Sequence, residues 1–142
     1  MKINFTVVDA SQYYEPRRAT KGAIGYDLST SKDCFFAPYA LQKVPTNIKV
    51  EVPQGYMLSV ILRSSVGAKG LSIPHGFGLI DWDYRGEILV PLKNLSEEWL
   101  VLKKSERFAQ CILVPVVDIE WEYVDKLTET ERDIGGFGST NN

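Results

Sequence analysis

Cysteine, histidine and long apolar runs are all scarce in this sequence, and each scarcity excludes a class of protein. Two cysteines and one histidine in 142 residues provide neither the ligand spacing of a structural zinc site nor a disulfide framework. Cys34 and Cys111 are therefore expected to be structural. The longest apolar stretches fall far short of the roughly 20 residues that span a bilayer, and no secretory hydrophobic region follows Met1. We therefore expect a soluble, cytoplasmic protein with no membrane partner.

The chain also has little net charge, with a formal value of −2 at pH 7. A protein whose affinity depends on neutralising many backbone phosphates needs a strongly basic surface, so nucleic acid is not an expected partner. Hydrophobic residues make up 44% and charged residues 24%, which is ordinary globular usage. The composition therefore predicts one folded domain with a single core.

Short runs of alternating or β-branched residues recur along the chain, separated by turn residues such as Pro38, Pro45 and Asn94. These runs are Ile3–Val8, Gln42–Val52, Tyr56–Leu62, Gly86–Leu92, Trp99–Leu102 and Phe108–Val117. Many short strands with such punctuation predict an all-β fold of the sandwich, jelly-roll or barrel type. The only helix candidate is short, around Gly67 to Gly70.

Apolar periodicity ends at residue 128, and the chain closes on a glycine-rich sequence. The sequence therefore predicts a β domain over residues 1–127 and a mobile C-terminal arm over residues 128–142.

The end of this arm has the residue types of a nucleotide lid. Successive N–H groups of Gly135 to Gly138 can form an anion-binding concavity, to which the hydroxyls of Ser139 and Thr140 add donors. Arg132 can pair with the same anion, and Phe137 can stack on a base. The alternative is a disordered tail with an incidental aromatic residue.

A second candidate lies between Gly76 and Glu87, at what looks like a junction of hairpin strands. In a strand, Asp81 and Asp83 share a face, while Tyr84 points the other way unless a bulge or turn intervenes. One carboxylate can activate water as a general base. The alternative is a polar hairpin tip with solvated acids.

Three further segments contain polar residues in unusual settings. Asp27 lies in an apolar segment, where an acid must be hydrogen-bonded, paired or linked to a metal. Arg63, Ser64 and Ser65 follow an apolar strand, so a guanidinium and two hydroxyls leave the strand end together and can bind phosphate oxygens. A turn stabilised by serine side chains is the alternative. Gln110 belongs either to a core hydrogen-bond network or to a ligand contact.

The order of these segments resembles the five motifs of the trimeric dUTPase family across nearly the whole chain. The matching segments are Ala23–Ser29 (A-G-Y/F-D-L in the family), Arg63–Lys69 (R-S-S/G), Gly78–Glu87 (G-V/I-I-D-x-D-Y-R-G), Glu106–Cys111 (D-R-I-A-Q-L) and Arg132–Thr140 (R-G-x-G-G-F-G-S-T). Val44–Val50 also resembles the family's V-P-T-G-I/V strand. No single motif is decisive, but the conjunction is specific.

Within and next to the five motifs, the chain departs from the family pattern at seven positions. They are Ile24 for alanine, Leu62 for proline, Ser65 for glycine, Glu106 for aspartate, Phe108 for isoleucine, Asp133 for glycine and Asn141 for glycine. Asp133 has the largest expected consequence, because it adds negative charge beside a polyanion site and removes backbone freedom before the lid.

The resemblance implies a homotrimer of jelly-roll-like or distorted-barrel subunits that hydrolyses dUTP to dUMP and pyrophosphate at inter-subunit sites. Such a reaction limits uracil in DNA and supplies dUMP for thymidylate synthesis. By the same resemblance, Asp81 deprotonates the attacking water, and Tyr84 packs against the deoxyribose. The backbone of Gly76, Gly78 and Ile80 reads the uracil edge.

The remaining roles implied by the resemblance concern the phosphates. Arg63, Ser64 and Gln110, with Ser65 beside them, bind the α- and β-phosphates, and Asp27 binds Mg²⁺ through water. The arm residues that bind the γ-phosphate or cover the base are Arg132, Phe137, Gly138, Ser139 and Thr140.

Two alternatives remain at this point. A dCTP deaminase has a related fold, but its chemistry needs a glutamate at the base, whereas this chain has the aspartate and tyrosine typical of the pyrophosphatases. A non-catalytic, regulatory nucleotide-binding protein with the same fold would bind dUTP without turnover.

Overall fold

The computed structural model describes residues 1–136. In that range the chain forms eleven strands and one short helix. The elements are β1 (Asn4–Val7), β2 (Tyr26–Ser29), β3 (Cys34–Phe36), β4 (Leu41–Pro45), β5 (Ile48–Glu51), β6 (Tyr56–Leu62), α1 (Ser64–Gly67), β7 (Leu71–Ser72), β8 (Gly78–Ile80), β9 (Leu89–Asn94), β10 (Leu100–Leu102) and β11 (Arg107–Pro115).

All of the strand pairs are antiparallel, and they form four sheets. The largest has the order β2-β11-β6-β8, the next β4-β9-β7, and two are simple pairs, β1-β5 and β3-β10. The predicted all-β fold is therefore confirmed. The four separate sheets correspond to a jelly-roll-like arrangement rather than to one closed barrel within residues 1–136.

A single hydrophobic core joins the four sheets. Phe36, Val44, Leu92, Leu102 and Phe108 are fully buried, and together they come from three of the sheets. β9 shows why these segments become strands, since alternate residues along it are buried and the others face outward. One contiguous core is therefore shared by the strands of all four sheets.

Both cysteines belong to this core, as expected. Cys34 and Cys111 are buried and free. Burial raises the pKa of the Cys111 thiol to about 12, so the group stays protonated and unreactive at neutral pH.

The structure differs from the predicted elements in several places. The run Gln42–Val52 forms two strands, because Asn47 adopts a positive φ of 65° that ends β4 and starts β5. The helix begins at Ser64 rather than near Gly67. Strands β2, β3, β7 and β8 were not predicted as separate elements.

After β11 the described chain has no further helix or strand, and nearly all of residues 116–136 are exposed. In residues 117–123, apolar residues alternate with acids. The apolar residues of this segment are exposed: Val117 by 80%, Ile119 by 66%, Trp121 by 88% and Tyr123 by 89%. Such alternation is typical of a strand with one apolar face. Within the described residues, no helix is long and apolar enough to span a membrane.

Candidate functional site

Three neighbouring strands of the largest sheet bring together side chains that are far apart in sequence. β11 lies between β2 and β6, and its register places Gln110 opposite both Asp27 and Ile61. Arg107 begins β11, and Arg63 follows the last residue of β6. We call Asp27, Arg63, Arg107 and Gln110 the arginine cluster.

Asp27 is held between two guanidinium groups. Its Oδ1 lies 3.3 Å from Nε of Arg63, and its Oδ2 accepts a 2.9 Å hydrogen bond from Nη1 of Arg107. The Asp27 side chain is only 7% exposed, so burial of its charge requires such partners. The sequence left hydrogen bonding, pairing and a metal link open for this acid, and the structure shows two arginines as its partners.

The arginine cluster carries more positive than negative charge. Two guanidinium groups face one carboxylate, and the Arg107 side chain is 53% exposed. Backbone contacts fix Arg63, since its N–H donates to the Phe108 carbonyl at 3.0 Å and its Nη1 to the Arg107 carbonyl at 3.1 Å. The cluster is therefore a preorganised cationic surface suited to phosphate oxygens.

Gln110 occupies space that a glycine leaves free. A Cβ atom at the buried Gly25 would lie 2.9 Å from Cβ and 3.2 Å from Cδ of Gln110. Real Cβ atoms do not approach other carbons so closely. Gly25 therefore allows the Gln110 side chain to lie against β2, beside Asp27.

We expect Gly25→Ala to displace Gln110 and weaken the site. Because Cβ of Gln110 cannot move without the strand, the clash should destabilise the fold by about 1–3 kcal/mol, the usual range for overpacking. Thermal unfolding measures the first effect, and turnover of dUTP, the substrate that the resemblance implies, measures the second. Gly22→Ala is the matched control, since a Cβ there meets nothing within 4 Å. Equal melting temperatures for the two variants would contradict the packing argument.

Ser64 and Ser65 begin α1, directly after Arg63. Both are exposed, and the Arg63 carbonyl accepts hydrogen bonds from the N–H groups of Val66 and Gly67, each at 3.0 Å. Ser64 and Ser65 are thus exposed at the start of α1, next to Arg63 in sequence.

Glu106, which stands where the family has aspartate, links the segment after α1 to the start of β11. Lys69 Nζ lies 2.8 Å from its Oε1, and the Lys103 N–H donates to Oε2 at 2.9 Å. Desolvation alone would raise the pKa of Glu106, but these hydrogen bonds outweigh it and hold the pKa below the ordinary value. Glu106 thus has a structural role beside the arginine cluster.

Asp81 lies in a loop that was wrongly predicted as part of a hairpin. β8 pairs with β6, whereas β9 pairs with β4 and β7, so residues 81–88 cross from one sheet to another. We call residues 81–88 the Asp81 loop. A turn closed by the Tyr84 N–H and the Asp81 carbonyl, 3.2 Å apart, replaces the strand in which Asp81 and Asp83 would share a face.

Two side chains of the Asp81 loop donate hydrogen bonds to the backbone of the same loop. Arg85 Nη1 donates to the carbonyls of Trp82 and Tyr84, at 2.8 and 3.0 Å. The Tyr84 hydroxyl donates to the Glu87 carbonyl at 3.0 Å. Asp81 itself is exposed, and within residues 1–136 its carboxylate has no hydrogen-bond partner. The loop thus presents an acid and an aromatic ring to solvent on a fixed backbone.

Gly76, Gly78 and Ile80 lie just before this loop. Gly76 is exposed with a positive φ of 83°, and Gly78 and Ile80 pair with Val60 and Leu58 of β6. β8 is the outermost strand of its sheet, so one edge of its backbone is unpaired among the described strands.

The register separates Asp81 from the arginine cluster within one chain. Ile80 lies opposite Leu58, so Asp81 follows at the level of Met57, whereas Arg63 follows the opposite end of β6. Six residues of strand correspond to about 20 Å. The two groups of predicted site residues therefore do not form one site on a single chain.

Of the predicted arm residues, Arg132 is described, and Phe137, Gly138, Ser139 and Thr140 lie outside the described residues. The Arg132 carbonyl accepts a 2.8 Å hydrogen bond from the Gly135 N–H. Asp133 within this turn has a positive φ of 45°, a conformation that favours glycine and that aspartate tolerates. The expected loss of backbone freedom thus does not prevent the turn.

Three arginines around Asp27 were not predicted from the sequence as site residues. A cavity of about 380 Å³ opens on Asp27 and Ser29 and is also lined by Arg17, Arg18 and Arg107. Arg107 immediately precedes Phe108 within the fourth motif, and its place there is the signal that was overlooked. Arg17 is tied to β2 because the Asp27 N–H donates to its carbonyl at 2.9 Å.

A metal ion would find few protein ligands here. Among the described residues, no group of three or more histidine, cysteine, aspartate or glutamate side chains is placed to hold a metal. Both Asp27 oxygens already face guanidinium groups. This donor set fits a contact through water rather than direct coordination, which suits a hydrated Mg²⁺.

Comparison with known sequences gives consistent matches over most of the chain. A family model described as dUTPase matches residues 12–141. A deoxyuridine 5'-triphosphate nucleotidohydrolase of Desulfitobacterium hafniense is 43% identical over 129 residues, covering 88% of this chain and 85% of that protein. The protein of the same name from Burkholderia cenocepacia is 38% identical over 148 residues, covering 99% and 98%.

Solved structures give the same answer for the fold. A variant of the Staphylococcus bacteriophage 80alpha dUTPase with dUpNHpp has a TM-score of 0.90 at 24% identity and covers 97% of both chains. The Streptococcus mutans dUTPase has a TM-score of 0.76 at 31% identity, covering 82% of this chain and 98% of its own. The match of the family model and the identity to these relatives show that the chain belongs to the dUTPase family.

Proposed function

We propose that this chain hydrolyses dUTP to dUMP and pyrophosphate. The main support is the 43% identity over 129 residues to a protein named deoxyuridine 5'-triphosphate nucleotidohydrolase. The rival deaminase and the non-catalytic binding protein are less favoured, because the relatives are named as nucleotidohydrolases.

In the proposed reaction, water attacks the α-phosphorus in line with the leaving pyrophosphate. Asp81 takes the proton of that water as general base, and its exposed carboxylate is accessible for this role. Arg63, Ser64, Ser65 and Gln110 bind the phosphate oxygens and stabilise the charge that develops on the leaving group.

Mg²⁺ is the proposed cofactor. When bound, it neutralises phosphate charge and orients the triphosphate for in-line attack. Asp27 would hold it through water, while Arg63 and Arg107 keep the Asp27 carboxylate in place. The surplus positive charge of the arginine cluster acts on the same phosphates.

Selectivity for the base and the sugar is assigned to β8 and the Asp81 loop. The unpaired edge of β8 offers backbone donors and acceptors, so Gly76, Gly78 and Ile80 can pair with the edge of uracil. Cytosine presents the reversed pattern of donors and acceptors and would leave these groups unpaired. Tyr84 would pack on the deoxyribose and leave no room for a 2′-hydroxyl.

The active unit is proposed to be a homotrimer with sites between subunits. Because Asp81 and Arg63 are about 20 Å apart along β6, a complete site requires these residues from different chains. The exposed alternating residues Val117, Ile119, Trp121 and Tyr123 also favour association, since a contiguous row of exposed apolar side chains is typical of an interaction surface.

The arm of residues 128–142 is proposed to close over bound nucleotide. Arg132, with Gly138, Ser139 and Thr140, would bind the γ-phosphate, while Phe137 covers the uracil. A triphosphate would then favour closure more than a diphosphate does.

Removing residues 132–142 should leave the oligomer intact and reduce dUTP turnover by on the order of 100-fold, the usual cost of losing charge-stabilising donors. The core ends well before Arg132, so folding should be unaffected. Light scattering and pyrophosphate release measure the two properties. A truncated protein that dissociates and unfolds would assign the arm a structural role instead.

The function itself is tested by measuring pyrophosphate release from dUTP, dCTP, dTTP and UTP, with and without Mg²⁺. Release from dUTP with Mg²⁺, and little from the others, is expected. Ammonia release from dCTP would identify a deaminase, and tight dUTP binding without turnover would identify a non-catalytic protein.

A further inference from the structure

The aromatic ring of Tyr84 lies directly over a glycine two residues further along the chain. A Cβ atom at Gly86 would overlap the Tyr84 hydroxyl oxygen and lie 2.5 Å from Cζ and 3.0 Å from Cε2. No side chain at this position is therefore compatible with the observed position of the ring.

The backbone conformation does not account for a glycine here. The described glycines with positive φ are Gly55, Gly70 and Gly76, and Gly86 is not among them. An alanine can adopt the other regions of φ without strain. The contact with the Tyr84 ring is thus the feature of the structure that requires glycine at this position.

The backbone against which the Tyr84 ring lies is anchored by hydrogen bonds. Tyr84 donates to the Glu87 carbonyl at 3.0 Å, and the Glu87 carboxylate accepts a 2.7 Å hydrogen bond from the N–H of Asn47. Asn47 is 4% exposed, and its Nδ2 donates to the carbonyls of Asp9 and Gln12 at 2.9 and 2.6 Å. The Gly86–Glu87 backbone is thus tied to the β4–β5 turn, and the exposed ring is the part that can move.

We propose that Gly86 is a specificity-determining positioning residue. By carrying no side chain, it lets the Tyr84 ring lie low against the loop, and this position sets the space left beside the sugar C2′. The inference rests on the proposed function, because it assigns a cause to the exclusion of the 2′-hydroxyl by Tyr84. Gly86 itself acts only through the ring.

The test compares kcat/KM for dUTP and UTP in Gly86→Ala, Tyr84→Ala and the double variant. Gly86→Ala should lower the dUTP preference by about tenfold or more, the scale of discrimination that one misplaced contact supplies. The double variant should have the selectivity of Tyr84→Ala alone, since the ring through which Gly86 acts is already absent. Gly22→Ala, where a Cβ meets nothing, should keep the wild-type ratio.

Melting temperatures give a second, independent readout. If Gly86→Ala is destabilised by the clash, removing the ring in the double variant should restore the melting temperature. The proposal would be overturned if Gly86→Ala left the selectivity for dUTP over UTP unchanged. It would also be overturned if the loss of selectivity in the double variant were the product of the losses in the two single variants. A wild-type protein that releases no pyrophosphate from dUTP would instead refute the proposed function, so the two failures are distinguishable.

Discussion

Asp81→Asn should lower the turnover number for dUTP by roughly 10³-fold, within the range that a positioned general base contributes. The amide has nearly the same shape as the carboxylate but cannot accept the proton of the attacking water. Folding should be unaffected, because Asp81 is exposed and its carboxylate has no partner in residues 1–136. Dissociation constants for a non-hydrolysable dUTP analogue should therefore change little.

Asp83→Asn is the matched control for this substitution. Asp83 is an exposed acid in the same loop, two residues away, and no catalytic role is assigned to it. The Asp83→Asn variant should retain most of the wild-type turnover of dUTP. If Asp81→Asn keeps its activity, another group must be the base, and a comparable loss in Asp83→Asn would show that the charge of the loop matters rather than one carboxylate.

Several strands were predictable because they are short apolar or β-branched runs that are bounded by turn residues. Tyr56–Leu62 has the predicted bounds, and β10 and β11 differ from their predictions by a few residues. β2 was not predicted, because it is short and places the charged Asp27 at a buried position. Its stability there depends on arginines from β11 and from the end of β6, which no local pattern reveals.

Two departures from the family pattern became intelligible only through backbone angles. Asn47 and Asp133 stand where the family has glycine, and both adopt positive φ, 65° and 45°. Asparagine and aspartate are the residues that reach this region most readily after glycine. The substitutions are visible in the sequence, but only the backbone angles of the structure show that asparagine and aspartate are compatible with these turns.

The residues of the candidate site could be predicted from the sequence, but their arrangement in space could not. Asp27, Arg63, Gln110 and Asp81 were all selected from the sequence. Their division into an arginine cluster and a separate loop follows from the register of β6 with β11 and β8, which depends on pairing between distant segments. That division gives the inter-subunit site, which the resemblance implied, a geometric basis that an experiment can test.

Mixed oligomers of two inactive chains should regain activity. One chain carries Asp81→Asn and the other Arg63→Gln, which removes the charge but leaves Arg107 paired with Asp27. If each site takes Asp81 from one subunit and Arg63 from the next, every mixed cyclic trimer contains one intact site in three, so about one third of wild-type turnover is expected. The two chains can be given different affinity tags, co-expressed and purified through both tags.

The controls for this experiment are oligomers of each variant alone, prepared in the same way, which should stay at background. Recovery cannot arise if Asp81 and Arg63 serve the same site from one chain, because every site would then contain one defect. A doubly tagged oligomer of correct mass that remains inactive would therefore refute the inter-subunit site. Recovery near one third would follow from the separation of about 20 Å that six residues of β6 impose within a single chain.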